Sequence, residues 1–534
     1  MDKIFVNGAV HTLDDAGRVY EALGITGERI SALGARSEIQ SQAGRRTEVV
    51  DLKGAVLFPG LIDSHTHLMI YAYLLDGLDL APPKVKKIDD VVAQVKAAVG
   101  RAAPGQWIRG SRFAEYWLAE NRYPTRFDLD RVAPHNPVIL YHTSFHACVL
   151  NSPALKELGL TRASACPVGG IIEKDGGTGE LTGILHDAAM MDLAFRHLFV
   201  RDLAAMNTAA RVAMCSQAMA RFAEVGVVAV SDALVTPASL TVYQETLAAG
   251  QAKVRVNMMP ELSVSENLMA TGICSGFGNE WLKIGPIKIF EDGGMSNRTA
   301  AVSTPYLTPP HGRGLKVLPR EEMMAAVARV HALGFQISVH CQGDDGLTDT
   351  LDAFEAVLGP RADNARRHRI EHAGCLYPHL LERAAAMQIA VSSQPVMFSE
   401  LGDGWIEAFG RETADKLYPF KSMLRAGIAL GGSSDCPVDP HDPRLGLRDA
   451  VLRRTAAGEI LGPQEALTMG EALRMFTRGS AYVNCDDRIA GTLARGKRAD
   501  FTVLAADPRQ VPAAEVVDIP VVMTVVGGEL TYTS

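Results

Sequence analysis

The sequence predicts an α/β fold: a (β/α)8 barrel of the TIM type with a small β-sandwich domain formed by both chain termini. The first observation is an alternation in the middle of the chain, where seven short apolar stretches between residues 225 and 437 are separated by stretches rich in Ala, Leu and Arg. Strands that alternate with helices indicate βαβ units, and seven or eight such units in about 400 residues favour a closed barrel over an open sheet. The second observation is that both chain ends consist of short strand-like runs separated by turns.

The predicted elements divide the chain into parts. Residues 1–57 begin with an Asn-Gly turn between apolar runs, a hairpin signal, and residues 485–534 have the same texture. We expect these two segments to form the β-sandwich domain, and residues 58–484 to form the barrel. Residues from about 71 to 185 alternate less regularly and contain dispersed Pro, Trp and Gly. They are predicted to be an insertion after the first barrel strand that covers the active site.

The composition excludes several classes of protein. Of 534 residues, 47% are hydrophobic and 21% charged, which excludes a disordered chain, and the net charge of −8 argues against nucleic acid as a partner. No run of about 18 apolar residues is present, so no membrane span is expected. The eight cysteines form no CxxC pair, and the N-terminus lacks the apolar stretch of a signal peptide. We therefore expect a cytoplasmic protein that acts on a small molecule.

The sharpest local motif is LFPGLIDSHTHL at residues 57–68, where an apolar run ends at His65 and His67. Side chains at positions i and i+2 of a strand point to the same face, so both imidazoles can converge on one metal ion. Two histidines at this spacing are also compatible with a place in the core or in solvent. Their position directly after Pro-Gly and a strand favours the metal.

Three further residues follow apolar runs in the same way: His340, His372 and Asp435. In a barrel the carboxyl ends of the strands form one face, and that face carries the active site. Four histidines and an aspartate would be costly to bury there without partners. Imidazole and carboxylate ligands suit Zn²⁺ or a similar first-row metal.

Lys288 lies near the end of another predicted strand, within GPIKIFEDGG. A buried lysine is avoided unless it is paired. Two interpretations stay open at this point. The lysine forms a salt bridge with Glu291 or Asp292, or it is carbamylated and its carboxylate bridges two metal ions.

Together these motifs resemble the amidohydrolase superfamily, in its YtcJ-like branch (amidohydrolase family 3), which includes N-substituted formamide deformylases. The resemblance covers nearly all of the chain, and its specificity comes from the order of the whole set, since one motif alone can arise by chance. The stretches that carry it are FPGLIDSHTHL (58–68), HACVLNSPAL (146–155), KIFEDGGMSNRTAAVSTPY (288–306), VHCQGD (339–344), HRIEHAG (368–374), GGSSDCPV (431–438) and GTLARGKRADFTVLAADP (491–508).

The resemblance implies a site for one or two Zn²⁺ ions per chain, with Mn²⁺ or Fe²⁺ as alternatives. It implies that Asp435 also takes the proton from the hydrolytic water and delivers it to the leaving amine. His146 is implied to face the carbonyl oxygen of the substrate, and its alternative is a structural histidine beside Asn151. The oligomeric state stays open, and a homodimer is compatible with the resemblance. The implied metal ligands are His65, His67, Lys288 as the bridging carbamate, His340, His372 and Asp435.

The chain departs from the pattern of this branch in two places. Asp345 follows Gly343-Asp344 where an Arg is common, and the residues after Asp292 read Gly-Gly-Met where Gly-Ser is more usual. Neither change affects an implied ligand, but both bear on the substrate pocket. The residues expected to contact substrate there, besides His146, are Trp107, Met295 and Arg298, with core packing as the alternative for the tryptophan.

The expected function is hydrolysis of a C–N bond by a metal-bound hydroxide, with an N-acyl or N-formyl amine as substrate. Within enzymes, the alternatives are hydrolysis of a cyclic amide, urea or carbamate, and deamination of a ring. An alternative of another class is a non-catalytic barrel that acts as a regulator or binding protein, although the presence of every expected ligand argues against it. The sequence contains no GxSxG or HExxH motif, so a serine hydrolase or a zincin is not expected.

Overall fold

Two sheets of parallel strands run through the middle of the chain, which confirms an α/β fold. The computed structural model describes residues 1–308, 312–360 and 364–534. The first sheet has four strands and the second has five. In spatial order, the strands are Leu282–Ile284, Arg255–Pro260, Val227–Val235 and Leu61–Thr66 in the first sheet, and Ile287–Phe290, Ile337–Cys341, Arg369–His372, Ala390–Ser393 and Leu430–Gly432 in the second.

Backbone contacts also join these two sheets at two seams. At one seam the amide of Asp435 donates to the carbonyl of His65 at 2.9 Å. At the other seam a parallel bridge pairs Glu261, directly after strand Arg255–Pro260, with Lys288 of strand Ile287–Phe290.

The apolar stretch around Lys288, predicted as one strand, forms two: Leu282–Ile284 in one sheet and Ile287–Phe290 in the other. Pro286 between them has no amide hydrogen and cannot donate a ladder bond. Gly285 packs so closely that a Cβ there would lie 2.5 Å from a neighbouring side-chain oxygen. The chain therefore passes from one sheet to the other at this dipeptide.

Helices connect the parallel strands and share their hydrophobic core. In helix Asp344–Leu358, the buried residues Leu347, Leu351 and Phe354 recur at the spacing of one helical face. Two aspartates in its first turn favour the helix because they complement the macrodipole. The other helices of this part are Leu68–Leu74, Arg196–Ala205, Thr208–Glu224, Pro237–Ala248, Leu262–Ala270, Arg320–Ala332, Pro378–Ala386, Met397–Phe409, Arg411–Ala414, Phe420–Arg425, Pro443–Leu452, Met469–Arg474 and Ser480–Val483.

The two chain ends meet in one sheet. Strand Phe501–Leu504 pairs antiparallel with Val56–Pro59, and a cluster of buried side chains, among them Phe5 and Phe501 with ring centroids 4.8 Å apart, joins this six-stranded sheet to a four-stranded one. The boundaries of the β-sandwich domain stay a prediction. The sheets contain Glu529–Thr533, Val521–Val526, Phe501–Leu504, Val56–Pro59, Ala9–His11 and Val19–Tyr20, and Arg29–Gly34, Ala22–Thr26, Lys3–Val6 and Glu48–Asp51.

The segment expected to be irregular, residues 71–185, contains a six-stranded mixed sheet. Val91 and Val95 of helix Ile88–Val99 pack on buried residues of this sheet, such as Phe113, in a core of their own. Two of its strands, Val138–His142 and Ala147–Leu150, are short and buried throughout, so no alternation reveals them in the sequence. The strands of this sheet are Gly170–Lys174, Leu181–Asp187, Ala147–Leu150, Val138–His142, Ile108–Phe113 and Leu78–Asp79. Among the helices that the structure describes, none combines the length and apolarity needed to cross a membrane.

A buried ion pair ties the strand Arg255–Pro260 to the C-terminal part of the chain. Nε of Arg255 donates to Oδ2 of Asp500 at 2.7 Å, and Nη2 donates to Oδ1 at 3.0 Å. The two side chains are 3% and 5% exposed.

Replacing Asp500 with Ala is expected to lower the free energy of unfolding by about 3 to 5 kcal/mol, because Arg255 then stays buried without its bidentate partner. The control is Glu529→Ala, which removes an ion pair with Lys3 in which the glutamate is 78% exposed. This control should cost less than about 1 kcal/mol. Urea denaturation followed by circular dichroism measures both losses, and equal losses would contradict a special role for the buried pair.

Candidate active site

Side chains on, or directly after, the first, seventh and ninth parallel strands along the chain converge at the carboxyl ends of the strands. Nε2 of His65 lies 3.3 Å from Oδ1 of Asp435, and Nε2 of His67 lies 3.2 Å from the same oxygen. Candidate ligand atoms of His65, His372 and Asp435 all lie within 4.8 Å of one another, and the three residues are buried. This geometry suits a metal ion held by nitrogen and oxygen.

Five imidazole rings form a continuous series across the site. The ring centroids of successive members lie 5.4, 5.0, 4.5 and 5.2 Å apart. Every histidine that the sequence placed at the site is therefore brought to it, including the one from the insertion. In spatial order the series is His67, His65, His372, His340 and His146.

Hydrogen bonds orient the first three rings of this series. Nδ1 of His65 donates to Glu371, Nδ1 of His67 donates to the carbonyl of Ala233 at 2.8 Å, and Nδ1 of His372 donates to Oε1 of Gln394 at 2.8 Å. These bonds leave Nε2 of each ring for a metal, the usual arrangement for ligating histidines. Sequence reasoning missed the two acceptor side chains. Glu371 lies within the motif HRIEHAG, and Gln394 lies in SSQP at residues 392–395, at the end of the next predicted strand.

Several atoms that face the centre of the site are buried without a hydrogen-bond partner among the described residues. They are Nε2 of His65, Nε2 of His372, Oδ1 of Asp435 and Nζ of Lys288. An unsatisfied buried polar group costs about 1 to 3 kcal/mol. Four such atoms in one place are explained by a bound group, and their chemistry fits a divalent first-row metal.

The electrostatics of these ligands favour metal binding. Burial lowers the pKa of His372 to about 3, so its ring is neutral and its nitrogen is free to ligate. Burial alone would raise the pKa of Asp435, but the imidazoles of His65 and His67, whose Nε2 atoms lie 3.3 and 3.2 Å from its Oδ1, hold it well below its usual range. Asp435 is therefore a carboxylate in this environment.

Lys288 is 1% exposed, and burial lowers the pKa of its ammonium to about 8. In the described part of the chain, its Nζ has no hydrogen-bond partner, and no ion pair joins it to Glu291 or Asp292. The salt bridge that the sequence allowed is therefore not formed. Because its pKa is lowered, a larger fraction of Lys288 is the neutral amine than is the case for an exposed lysine.

The backbone at the ligands adopts conformations that side chains rarely take. His372 has a φ of 71°, Ala373 a φ of 56° and Asp435 a φ of 61°. Each costs of order 1 to 3 kcal/mol for a residue other than glycine and persists only where the surroundings hold it. Their coincidence with two candidate ligands is typical of a functional site.

The ligand cluster lies at one side of a cavity of about 160 Å³ that opens to solvent. His146 lines it, and its Nδ1 lies 2.7 Å from Oδ1 of Asp187, which also accepts from Thr299 Oγ1 at 3.3 Å. The ring is thereby fixed with Nε2 as its free nitrogen. Apolar lining residues include Ile70, Phe145, Met190, Met191, Leu234 and Val438.

The Gly-Gly departure lies beside His146, which lines the cavity, whereas the Asp345 departure lies outside the lining. A Cβ on Gly294 would lie 3.2 Å from Cδ2 of His146, so a larger residue there would crowd the ring. Asp344 accepts from the Ser303 amide at 2.9 Å, and Asp345 pairs with Lys316 at 3.1 Å. Neither aspartate lines the cavity.

Three residues expected to contact substrate are placed outside the cavity lining. Nε1 of Trp107 donates to Glu157 at 2.7 Å on the outer side of the insertion. Met295 is 1% exposed and packs beneath the loop, with its sulfur 3.7 Å from that of Cys375. Arg298 is committed to Glu115 at 3.2 Å and to a threonine hydroxyl. Their partners are distant in sequence, so sequence neighbourhood could not place them.

Comparison with known proteins agrees with this geometry. The profile of the Amidohydrolase family matches residues 48–532. The chain belongs to the amidohydrolase family. This amidohydrolase is 31% identical to an N-substituted formamide deformylase of Arthrobacter pascens over 99% of this chain and 98% of that protein. It is 29% identical to a putative amidohydrolase, YtcJ, of Bacillus subtilis over 100% and 99%.

A solved structure gives the same picture of the amidohydrolase. An uncharacterized metal-dependent hydrolase from Pyrococcus horikoshii superposes with a TM-score of 0.77 at 27% identity, over 96% of this chain and 99% of that one. Family and structural similarity together identify the protein as a metal-dependent hydrolase that acts on carbon–nitrogen bonds.

Replacing Gln394 with Leu is expected to lower metal affinity about 10- to 100-fold, because His372 loses the acceptor that holds its Nδ1–H. Metal content after dialysis against graded chelator concentrations measures the change. The matched control is Gln251→Leu at an exposed position. Equal metal retention in both variants would show that Gln394 does not orient a ligand.

Proposed function

We propose that the chain hydrolyses the amide bond of an N-acyl amine, with N-formyl amines as the best candidates. The observation that carries the proposal is the cluster of buried, unpartnered histidine and aspartate atoms at one side of an open cavity. The similarity to an N-substituted formamide deformylase over the full length supports the choice of substrate. The apolar lining supports an uncharged, apolar substituent on the nitrogen.

We further propose that the two parallel sheets form one (β/α)8 barrel, in which Leu282–Ile284 and Ile287–Phe290 count as one interrupted strand, and that residues 1–57 and 485–534 form a β-sandwich domain. Contacts at both seams between the sheets support the barrel. The barrel supports the site in turn, because strands far apart in sequence then end at the same face.

The proposed metal is Zn²⁺, with Mn²⁺ or Fe²⁺ as alternatives. When bound, such an ion lowers the pKa of water and polarises a carbonyl oxygen. The amine of Lys288 would react with CO₂, forming an N–C bond and releasing a proton, to become a bridging carbamate. Its burial, lowered pKa and lack of a partner support that role. The proposed ligands are His65, His67, carbamylated Lys288, His340, His372 and Asp435.

Two residues of the chain handle the substrate and the proton. Asp435 accepts a proton from the attacking water at its carboxylate and passes it to the leaving nitrogen. Its position 3.2 to 3.3 Å from His65 and His67 keeps the carboxylate ionised and directed into the site. His146, fixed through Asp187, presents Nε2 to the carbonyl oxygen of the substrate. The apolar cavity walls exclude water around the substituent.

The products separate this proposal from its alternatives. Release of an organic acid and an organic amine supports amide cleavage, whereas release of ammonia supports deamination of a ring. A screen of N-formyl and N-acetyl amines with detection of primary amines, run beside ammonia detection, makes the distinction.

Protein purified without chelator is expected to hold about two metal ions per chain if Lys288 bridges them. Lys288→Met should reduce the content to one or less, because it removes the nitrogen that carries the carbamate. Elemental mass spectrometry measures the metal content of the wild type and of the variant. The control is Lys84→Met, because the side chain of Lys84 is 58% exposed. A wild-type content near one would remove Lys288 from the ligand set. A chain that retains and rebinds no metal would contradict the whole site.

Replacing Asp435 with Asn is expected to retain metal but lower kcat about 10²- to 10⁴-fold, because an amide cannot accept and return the proton. Steady-state kinetics with metal content measured on the same preparation tests this. Asp518→Asn, at an exposed position, serves as control. Wild-type turnover in the Asp435 variant would exclude it from proton transfer.

A further inference from the structure

One wall of the cavity is built by the chain directly after the insertion sheet. Beyond strand Leu181–Asp187, residues 188–190 form a helical turn, Met191–Phe195 form a π-helical turn, and helix Arg196–Ala205 follows. Met190, Met191, Asp192 and Arg196 from this segment all line the cavity. The segment therefore contributes both apolar and charged groups to the space that holds the substrate.

Arg196 is the one arginine or lysine that lines the cavity within the described part of the chain. Its guanidinium is held by two carboxylates. One terminal nitrogen lies 2.7 Å from Oδ1 of Asp192, and the other lies 2.7 Å from Oε2 of Glu261. Glu261 is 8% exposed and is itself held by a bond of 2.7 Å from Ser263. The side chains of Arg196 and Asp192 are 38% and 44% exposed, so one positive charge is matched by one carboxylate near solvent and by one that is buried.

A substrate carboxylate in this part of the cavity would meet an unfavourable environment. No lining arginine or lysine is unpaired among the described residues, and Asp187 and Asp192 would lie on the same wall. A carboxylate leaving water there would lose its hydration without gaining a partner. The charge of a bound metal does not remedy this, because the metal site is where the carbonyl must be placed.

We propose that Arg196, held by Asp192 and Glu261, determines specificity by excluding substrates with a carboxylate on the amine side. N-acyl amino acids are thereby rejected, and N-acyl amines with neutral, apolar substituents are accepted. The inference rests on the proposed function and narrows its substrate class. Repulsion between like charges is a general way to build specificity against a competitor that is otherwise similar.

The test uses two substrates that differ by one carboxylate: N-formylphenethylamine and N-formylphenylalanine. For the wild type, kcat/KM for the first is expected to exceed that for the second on the order of 100-fold. Asp192→Asn and Glu261→Gln each free one side of the guanidinium. Each should reduce this ratio by about tenfold or more, because the arginine can then pair with the substrate carboxylate.

Two further variants show whether the guanidinium is responsible. Adding Arg196→Gln to Asp192→Asn should restore the discrimination, since the group that accepts the carboxylate is gone. The matched control is Arg201→Gln, on the same helix but outside the cavity lining and paired with Asp202. It should leave the ratio unchanged. A wild-type ratio within about threefold of one, or a ratio unaffected by both carboxylate variants, overturns the proposal.

Calorimetric titration of the same two compounds into metal-free protein provides a measurement that does not depend on turnover. Tighter binding of the neutral compound, with the difference reduced in Asp192→Asn, supports the role of Arg196. If that occurs while no amide is hydrolysed by the metal-loaded protein, the proposed reaction fails and the charge selectivity stands. If the metal-loaded protein hydrolyses both compounds at similar rates, the proposed reaction stands and the charge selectivity fails. Equal binding of both compounds, or binding of neither, overturns the specificity proposal.

Discussion

The seam between the first and the last parallel strand is the contact on which the rest of the site depends. Asp63, buried on the first strand, accepts hydrogen bonds from the Ser434 amide at 3.1 Å and from the Ser434 hydroxyl. The same carboxylate accepts from the His65 amide at 3.2 Å, while the Asp435 amide donates to the His65 carbonyl. Asp63 and Ser434 are 371 positions apart, and their hydrogen bonds place the candidate ligands His65 and Asp435 next to each other.

A second buried interaction, the ion pair between Arg369 and Glu371, orients His65. Arg369, fully buried, donates to Glu371 at 2.6 Å, and Glu371 in turn accepts from Nδ1 of His65. The remaining nitrogens of the guanidinium are satisfied by the Ser64 carbonyl and by Asn484. Because these charges are paired inside the protein, Nε2 of His65 and Nζ of Lys288 are the atoms beside them that have no hydrogen-bond partner among the described residues and face the centre of the site. Charges are tolerated in a core when they are paired and all their hydrogen-bonding groups have partners.

The proposed ligands and the proposed substrate contacts come from different parts of the chain. The parallel strands supply the cluster around Asp435, whereas the insertion and the segment after it supply His146, Asp187 and Arg196. Loops and insertions at the carboxyl ends of strands can vary without disturbing the strands beneath. This separation explains why the motifs point to the chemistry of the family more sharply than to the substrate.

The sequence by itself determined the α/β class and the residues that meet at the site, because each of those residues ends an apolar run and parallel strands end on one face. Only the tertiary structure decided their orientation. His65 and Glu371 are 306 positions apart, and no local pattern connects them. The same holds for Trp107, Met295 and Arg298, which sequence neighbourhood placed at the pocket and whose side chains find partners elsewhere. Periodicity records which face of an element is buried, whereas the partner across a buried contact depends on how distant elements pack.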